Sequence, residues 1–214
     1  MRRAIFAKEL TGLFRELDKR LITKYYNYSR PIEKFDIVAM GGTALEMAGL
    51  KQVSKDIDLY LELSSVGKTA PDKDPVNIAD TLTRFIKEHF DGSQEIAADV
   101  AYDGIGSWNL IGFNIHKYKL PEKFSCFNLY ILDLVDLCIT KLVRYSPEDT
   151  QDIEKAIKAC QPTVHELESR LEAYLKRLKN AGNTTIVITN FNRLKTLYTQ
   201  WDIKPVKWYE FWRQ

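Results

Sequence analysis

The sequence predicts an α+β fold in which a mixed sheet flanked by helices is followed by a C-terminal helical bundle. Short apolar runs and strand-like alternation are found up to residue 132. From residue 133 onward, helical spacing and helix-capping residues take over. We therefore expect two domains: an α/β domain over residues 1–132, which includes an N-terminal helix, and a helical domain over residues 133–214 packed on it.

The composition is that of a globular intracellular protein. The chain has 214 residues, of which 45% are hydrophobic and 28% charged, enough for a substantial core. Its net charge of +2 gives no bulk electrostatic argument for nucleic acid. The three cysteines lack zinc-like spacing and are expected to be buried thiols. No signal peptide and no long apolar stretch is seen, so we expect a cytoplasmic protein that does not contact a membrane.

Apolar spacing predicts the first elements in chain order. Large apolar residues recur every three or four positions over Phe6–Leu21, which is typical of an amphipathic helix. Phe35–Met40 is an apolar run that ends at two glycines, as a buried strand entering a turn does. Thr43–Leu50 then favours a short helix. Strict alternation over Asp56–Leu63 predicts a half-buried strand.

The rest of the first domain is predicted in the same way. Residues 64–75, rich in proline and charge, indicate a loop. Residues 76–90 have helical spacing. Residues 96–102 and 108–118 are joined by a glycine-containing link and predict a hairpin, and 127–132 adds a strand.

Four helices are predicted after residue 132. Asp133 caps the first, which we expect to end near Tyr145. Ser146, followed by a proline and two acids, is a strong second start. Thr163 begins a capping box for the third helix. Apolar spacing over residues 187–201 indicates the fourth.

Two carboxylates stand two residues apart on the strand that begins at Asp56. Such residues lie on one face of a strand with Cα atoms about 7 Å apart, so Asp56 and Asp58 are neighbours. Mg²⁺ prefers oxygen ligands and commonly binds one or two carboxylates together with substrate phosphates. The pair therefore suits nucleotide chemistry, and the other interpretation of the same pattern is the solvated face of an amphipathic strand.

A glycine pair precedes the predicted short helix. Gly41 and Gly42 remove side chains where the strand turns, so that the N–H groups of Gly42, Thr43 and Ala44 can face an anion. A triphosphate fits there, although a lone Gly-Gly is also typical of an ordinary turn. The stronger signal is the order: strand, Gly-Gly-Thr-Ala-Leu, helix, then Lys-Asp-Ile-Asp-Leu on the next strand.

This arrangement resembles the nucleotidyltransferase superfamily, the polymerase-β-like fold, whose signature is Gly-Gly or Gly-Ser followed by Asp-x-Asp. More narrowly, it resembles the prokaryotic branch that includes abortive-infection toxins of nucleotidyltransferase type. In that branch a later helix pair carries a lysine, an arginine and two acids. The similarity covers residues 36–63 and 130–157, and elsewhere only the order of elements. The matching positions of the later motif are Asp133, Asp136, Lys141, Arg144, Asp149 and Asp152.

The resemblance implies roles for these residues. The Gly41–Thr43 turn would hold the nucleotide phosphates, and Asp56 and Asp58 would hold Mg²⁺ or Mn²⁺. Lys141 would contact a phosphate or the charge that develops during phosphoryl transfer. Asp152 would orient Lys141 or activate an acceptor hydroxyl.

Arg144 is assigned to nucleotide binding by the same resemblance. The later segment also has a purely structural interpretation, in which Lys141 and Arg144 pair with Asp149 and Asp152 between two helices at the surface.

The third acid of the superfamily is not obvious in this sequence. On the predicted strand 108–118, the polar face shows Asn114 and His116 where an acid is expected. Asp99 on the preceding strand is the other candidate metal ligand. An amide can ligate a metal but cannot act as a base, so His116 or Asp152 would take that role, or the protein would be inactive.

The resemblance implies a transferase that moves a nucleoside monophosphate from a triphosphate to an acceptor hydroxyl on RNA or protein, with an antitoxin-like partner. The first alternative is a degenerate domain that binds nucleotide or a partner without chemistry. A weaker alternative is RNA stacking on the aromatic tail that includes Trp201, Trp208 and Trp212, although such a tail more often packs on its own domain or on a second copy.

Overall fold

The computed structural model describes residues 5–25, 34–54, 56–62, 75–89, 97–102, 116–178, 184–201 and 203. These residues form a mixed sheet with helices and a separate set of helices, so the predicted α+β class is confirmed. Contacts between Cα atoms divide the chain into two compact units. The first unit comprises Met1–Ile111 and Lys117–Leu132, and the second comprises Gly112–His116 and Asp133–Gln214.

A five-stranded mixed sheet organises the first unit. The elements of the unit are β1 (Ile5–Phe6), α1 (Ala7–Tyr25), β2 (Phe35–Ala39), α2 (Gly41–Met47), β3 (Val53–Ser54), β4 (Asp56–Glu62), α3 (Pro75–His89), β5 (Ala97–Tyr102), β6 (Lys117–Lys119) and β7 (Phe127–Leu132). The strand order of the sheet is β5-β4-β2-β7-β6. Strand β2 is antiparallel to β4 and parallel to β7, while β4 is parallel to β5 and β6 is antiparallel to β7. Two short strands, β1 and β3, form a separate antiparallel pair.

One face of this sheet is apolar and packs against α1 and α3. Alternate residues of the strands, such as Ile37 and Leu59, are fully or almost fully buried together with the apolar stripes of both helices. Phe14 of α1 contacts the rings of Phe124 and Phe127, with centroid distances of 6.5 and 6.3 Å. Burial of these side chains supplies the main favourable free energy of the unit.

The opposite face of the sheet carries the polar residues of the same strands. Asp36 pairs in register with Glu62 and with Asn128. Asp58 lies on this face as well, four residues before Glu62 on β4. The strand alternation therefore collects the carboxylates of several strands on one side, and it positions the candidate site.

The second unit is helical in its described part. Its helices are α4 (Leu134–Lys141), α5 (Pro147–Cys160), α6 (Val164–Leu178) and α7 (Thr184–Tyr198). Helix α4 packs against α5 and α6, and α6 packs against α7. The buried amide of Asn190 donates to the carbonyl of Leu142 at 2.8 Å, which satisfies a carbonyl just after α4 ends. No helix in the described part of the chain is long and apolar enough to cross a membrane.

The three predicted helix starts that rest on capping residues are confirmed, while the fourth predicted helix, 187–201, is observed as Thr184–Tyr198. The Asp133 carboxylate accepts from the N–H groups of Val135 and Asp136 at 2.9 and 3.1 Å. Ser146 and Asp149 form a reciprocal capping box at the start of α5. The N–H of Glu166 donates to the Thr163 hydroxyl at 3.0 Å. Helix α4 nevertheless ends at Lys141, short of Tyr145, which has a φ of 49° that a right-handed helix does not accommodate.

Two other predictions are corrected. Helix α2 begins at Gly41 and ends at Met47, rather than beginning at Thr43, because both glycines belong to its first turn. The predicted hairpin is wrong in its described part. Strand β5 pairs with β4, and β6, the described end of the predicted strand 108–118, pairs with β7 at the other edge of the sheet. The predicted loop 64–75 lies outside the described residues except for Pro75, which begins α3.

Candidate functional site

The carboxylate of Asp58 packs directly against Gly41, in the space that a side chain at position 41 would need. Gly41 has a φ of +49°, a conformation that side chains other than glycine rarely adopt. A Cβ atom built on Gly41 would lie 2.3 Å from Oδ2 of Asp58 and 3.2 Å from its Cγ. No real contact is that short, so the carboxylate fills the place that a side chain would need. Glycine is therefore required at position 41 for two reasons: the positive φ, and the space taken by the Asp58 carboxylate of β4.

Hydrogen bonds join the α2 turn to the start of β4. The hydroxyl of Thr43 accepts from the N–H of Asp58 at 3.0 Å and donates to the carbonyl of Asp56 at 3.2 Å. The N–H of Met40 donates to the carbonyl of Asp58 at 2.9 Å. Thr43 is fully buried, whereas Asp56 and Asp58 are half-buried. The predicted glycine turn and the predicted carboxylate pair thus form one local assembly.

The register of the sheet bears on the missing third acid. Asp58 is the register partner of Asp99 on the parallel strand β5, and paired positions stand on the same face of a sheet. Asn114, the other predicted ligand, lies outside the described residues. Among the residues that the structure describes, no group of three or more His, Cys, Asp or Glu could hold a metal ion. Asp56 and Asp58 therefore stand together at the start of β4, with the position of Asp99 next to that of Asp58 in register.

Lys141 is held between two carboxylates of α5. Its ammonium lies 2.9 Å from Oδ2 of Asp152 and 3.1 Å from Oδ1 of Asp149. The side chains are 9%, 3% and 1% exposed, respectively, so these are buried ion pairs rather than the surface pairs that the structural interpretation assumed. Such a pair keeps each charge only because the partners and hydrogen bonds compensate for the lost hydration.

Asp149 accepts hydrogen bonds from several side chains of this cluster. Arg144 donates to both of its oxygens at 2.7 Å, and the Ser146 hydroxyl donates at 2.8 Å. Burial alone raises the pKa of Asp149, but the bonds from Arg144 and Ser146 and the charge of Lys141 outweigh it and leave the pKa well below its usual range. The Arg144 side chain is itself 72% exposed.

A second cluster of the helical unit joins two residues that the sequence indicated, His116 and Asp136, with Arg170, which the sequence did not indicate. The fully buried Asp136 accepts from Arg170 at 2.8 Å and from the backbone N–H of His116 at 2.8 Å. The His116 ring lies 3.1 Å from the same carboxylate and also contacts Arg170. Burial raises the pKa of Asp136, and the positive charge of Arg170 offsets part of that effect. His116 and Arg170 are far apart in sequence, so no local pattern could indicate this contact.

A third cluster lies on the polar face of the sheet. Lys117 donates to Asp36 at 2.9 Å, donates to Glu62, and stands 4.3 Å from the ring centroid of Tyr130. Burial lowers the pKa of Lys117, but the bonds to both carboxylates outweigh it and raise the pKa above its usual value. Alternation in the predicted strands already put Asp36 and Glu62 on the polar face. Only the position of β6 beside β7 brings the lysine to them.

Comparison with known proteins adds little. No family model matches the chain, and no curated protein matches it. The crystal structure of an antigenic nucleotidyltransferase-like protein from Paracoccidioides brasiliensis is similar at 15% sequence identity, with a TM-score of 0.45, over 86% of this chain and 94% of that chain. A likeness of that size shows no function for this chain.

Proposed function

We propose that this protein is a Mg²⁺-dependent nucleotidyltransferase that moves a nucleoside monophosphate from a nucleoside triphosphate to an acceptor hydroxyl. The observation that carries the proposal is the assembly of the α2 turn with the start of β4. Gly41 leaves the volume that the Asp58 carboxylate fills, and Thr43 bonds the backbone of both Asp56 and Asp58. An ordinary turn beside a solvated strand face does not require these contacts between the turn and the two aspartates.

The residues of this assembly fit a hard divalent cation. Asp56 and Asp58 are half-buried oxygen donors on one face of β4. We assign Asp99 as the third ligand because it is the register partner of Asp58. Mg²⁺ usually takes a few carboxylates and fills its remaining positions with substrate phosphates and water. Bound there, it would neutralise the negative charge that develops on the phosphates.

We propose that Lys141 and Arg144 form a cationic group of the helical unit that binds phosphate. An ammonium has three N–H donors, and Asp149 and Asp152 accept two of them, which leaves one for a phosphate oxygen. Asp152 holds the ammonium in place, and Arg144 keeps an exposed guanidinium. Fixed cations of this kind stabilise a transferring phosphoryl group without any reorganisation at the moment of reaction.

In the proposed step, the acceptor hydroxyl displaces pyrophosphate from the α-phosphorus of the nucleoside triphosphate. The acceptor oxygen forms a bond to the α-phosphorus, and the bond from that phosphorus to the oxygen bridging to the β-phosphate breaks. Pyrophosphate leaves, and the proton of the acceptor hydroxyl passes to a carboxylate, for which we propose Asp99. Asp152 and His116 are the other proton acceptors that the sequence indicates. The acceptor is RNA or a protein hydroxyl.

The test is incorporation of label from each of the four α-labelled nucleoside triphosphates with Mg²⁺ and total cellular RNA and protein. Asp56→Asn and Asp58→Asn should each lower incorporation at least about 100-fold, since both remove a metal ligand. Asp80→Asn is the matched control, because Asp80 is an exposed acid of α3. Labelled RNA or protein that depends on the pair would support the proposal.

Nucleotide binding without transfer, unaffected by either substitution, would contradict the proposal. It would leave the degenerate binding module as the function.

A further inference from the structure

A single buried hydroxyl joins α2 to β4. Thr43 is 0% exposed, and its Oγ1 lies between the N–H of Asp58 and the carbonyl of Asp56. It therefore bonds the backbone on either side of Ile57, which is itself fully buried.

The backbone of Asp58 is fixed from two directions. Its N–H donates to Thr43, and its carbonyl accepts from the N–H of Met40. Its carboxylate meanwhile fills the space beside Gly41. Position 40 precedes α2 and position 43 is in its first turn. The N-terminus of α2 therefore fixes the backbone at the start of β4.

The hydroxyl of Thr43 has one hydrogen, and that hydrogen points to the carbonyl of Asp56. The side chain is therefore not a donor to a phosphate. Any contact of Thr43 with a nucleotide would have to come from its backbone N–H.

We propose that Thr43 is the positioning residue of the carboxylate pair: it fixes the backbone of Asp56 and Asp58 so that both carboxylates reach one cation. The inference rests on the proposed function. Groups that hold metal ligands in place commonly change metal affinity 10–100-fold when they are removed, by analogy with second-shell partners. Thr43→Val keeps the shape of the side chain and removes both bonds, whereas Thr43→Ser keeps the hydroxyl.

The experiment measures Mn²⁺ binding to the full chain by electron paramagnetic resonance, together with amide hydrogen exchange at Asp58. Thr43→Val should weaken Mn²⁺ binding about 10–100-fold and accelerate exchange of the Asp58 amide, whose acceptor is gone. Thr43→Ser should restore both. Thr140→Val is the matched control, because the Thr140 hydroxyl donates to the carbonyl of Leu137 within its own helix.

Wild-type Mn²⁺ affinity in Thr43→Val, or slow Asp58 exchange in that variant, would overturn the inference. Equal loss in Thr43→Ser would do the same, since the hydroxyl would then not be the cause. If the wild-type protein binds no Mn²⁺, the proposed function fails. Asp58 exchange in the three proteins then still decides whether Thr43 fixes this strand.

Discussion

At the residue scale, the sequence indicated which side chains form the candidate site. It did not indicate the contacts between them. Gly41 and Asp58 were singled out by the order of motifs in the sequence, and the structure places them against each other. The bonds of Thr43 could not be predicted, because they depend on how α2 docks beside β4. The assignment of Asp99 as a ligand stays a prediction that rests on register alone.

The first prediction concerns Gly41. Gly41→Ala introduces a Cβ into the space of the Asp58 carboxylate and also forces alanine into a left-handed conformation, which alone costs about 1–2 kcal/mol. We expect a larger loss of unfolding free energy than this, with weakened Mn²⁺ binding. Chemical denaturation and metal titration measure the two effects.

Substitutions at two other glycines distinguish the cost of the backbone conformation from the cost of the clash with Asp58. Gly49 has a φ of +74° with no atom within 4 Å of the added Cβ, so Gly49→Ala should show only the conformational cost. Gly12 lies within α1 with open space around it, so Gly12→Ala should stabilise by about 0.5–1 kcal/mol. Equal effects of Gly41→Ala and Gly49→Ala would refute a specific contact with Asp58.

The second prediction concerns Asp149. Because its pKa is lowered in the folded state, the deprotonated carboxylate stabilises the protein above its ordinary pKa of 3.8, and this contribution is lost as the pH falls below that value. Asp149→Asn should lower the unfolding free energy at about pH 7 by about 2 kcal/mol and much less at about pH 2. Urea unfolding across this pH range is the measurement. A constant difference at every pH would show that the carboxylate charge is not the stabilising feature.

At the element scale, periodicity and capping predicted most helices and strands. The pairing between strands was harder to predict from the sequence. Ser146 and Thr163 marked the helix starts correctly because capping is decided within one turn of chain. The position of β6 could not be predicted, since its partner β7 is set by the whole sheet rather than by the link that precedes it. Lys117 shows the consequence, because it bonds residues of β2 and β4 from an edge strand.

The third prediction concerns this cross-strand cluster. Lys117→Met leaves Asp36 and Glu62 together without their shared cation and should cost about 2–4 kcal/mol of unfolding free energy at about pH 7. The raised pKa of Lys117 means that its contribution is complete below the ordinary value of 10.5 and is lost as the pH rises through the raised value. The deficit of the variant should therefore shrink at strongly alkaline pH. Chemical denaturation over this range measures it.

Lys119→Met is the matched control for the cluster. Lys119 is an exposed lysine of the same strand and donates to Asn128 at 2.7 Å. Its loss should cost less than about 0.5 kcal/mol, as is usual for exposed positions. If both variants lose the same free energy, the ion cluster does not stabilise the sheet.

At the scale of the whole molecule, composition and the change of periodicity predicted the α+β class correctly. The chain passes between the two compact units more than once, since His116 belongs with the helical unit while Lys117–Leu132 belongs with the sheet. A sequence pattern shows where periodicity changes, but not which neighbour a short segment joins. That assignment follows from contacts such as the one between His116 and Asp136.

The fourth prediction uses the three cysteines as reporters on both units. All three are buried, with Cys126 in the first unit and Cys138 and Cys160 in the second. Burial raises the pKa of Cys126 to about 12 and raises the pKa of the other two thiols, so thiolate is scarce at neutral pH. We expect all three to resist an aqueous thiol reagent in the native protein and to react rapidly in urea. Mass spectrometry of each cysteine peptide measures the rates, and fast native labelling of any one would contradict its burial.

The shared volume of Gly41 and Asp58 also has an evolutionary consequence. Because one residue can have a side chain there only if the other gives way, substitutions at the two positions are coupled. A relative that gains a side chain at position 41 should have lost or displaced the carboxylate at position 58, and a relative that loses the carboxylate is released from the need for glycine. The residue at position 41 would then serve as a marker, in each new sequence, of whether the cation site has been kept.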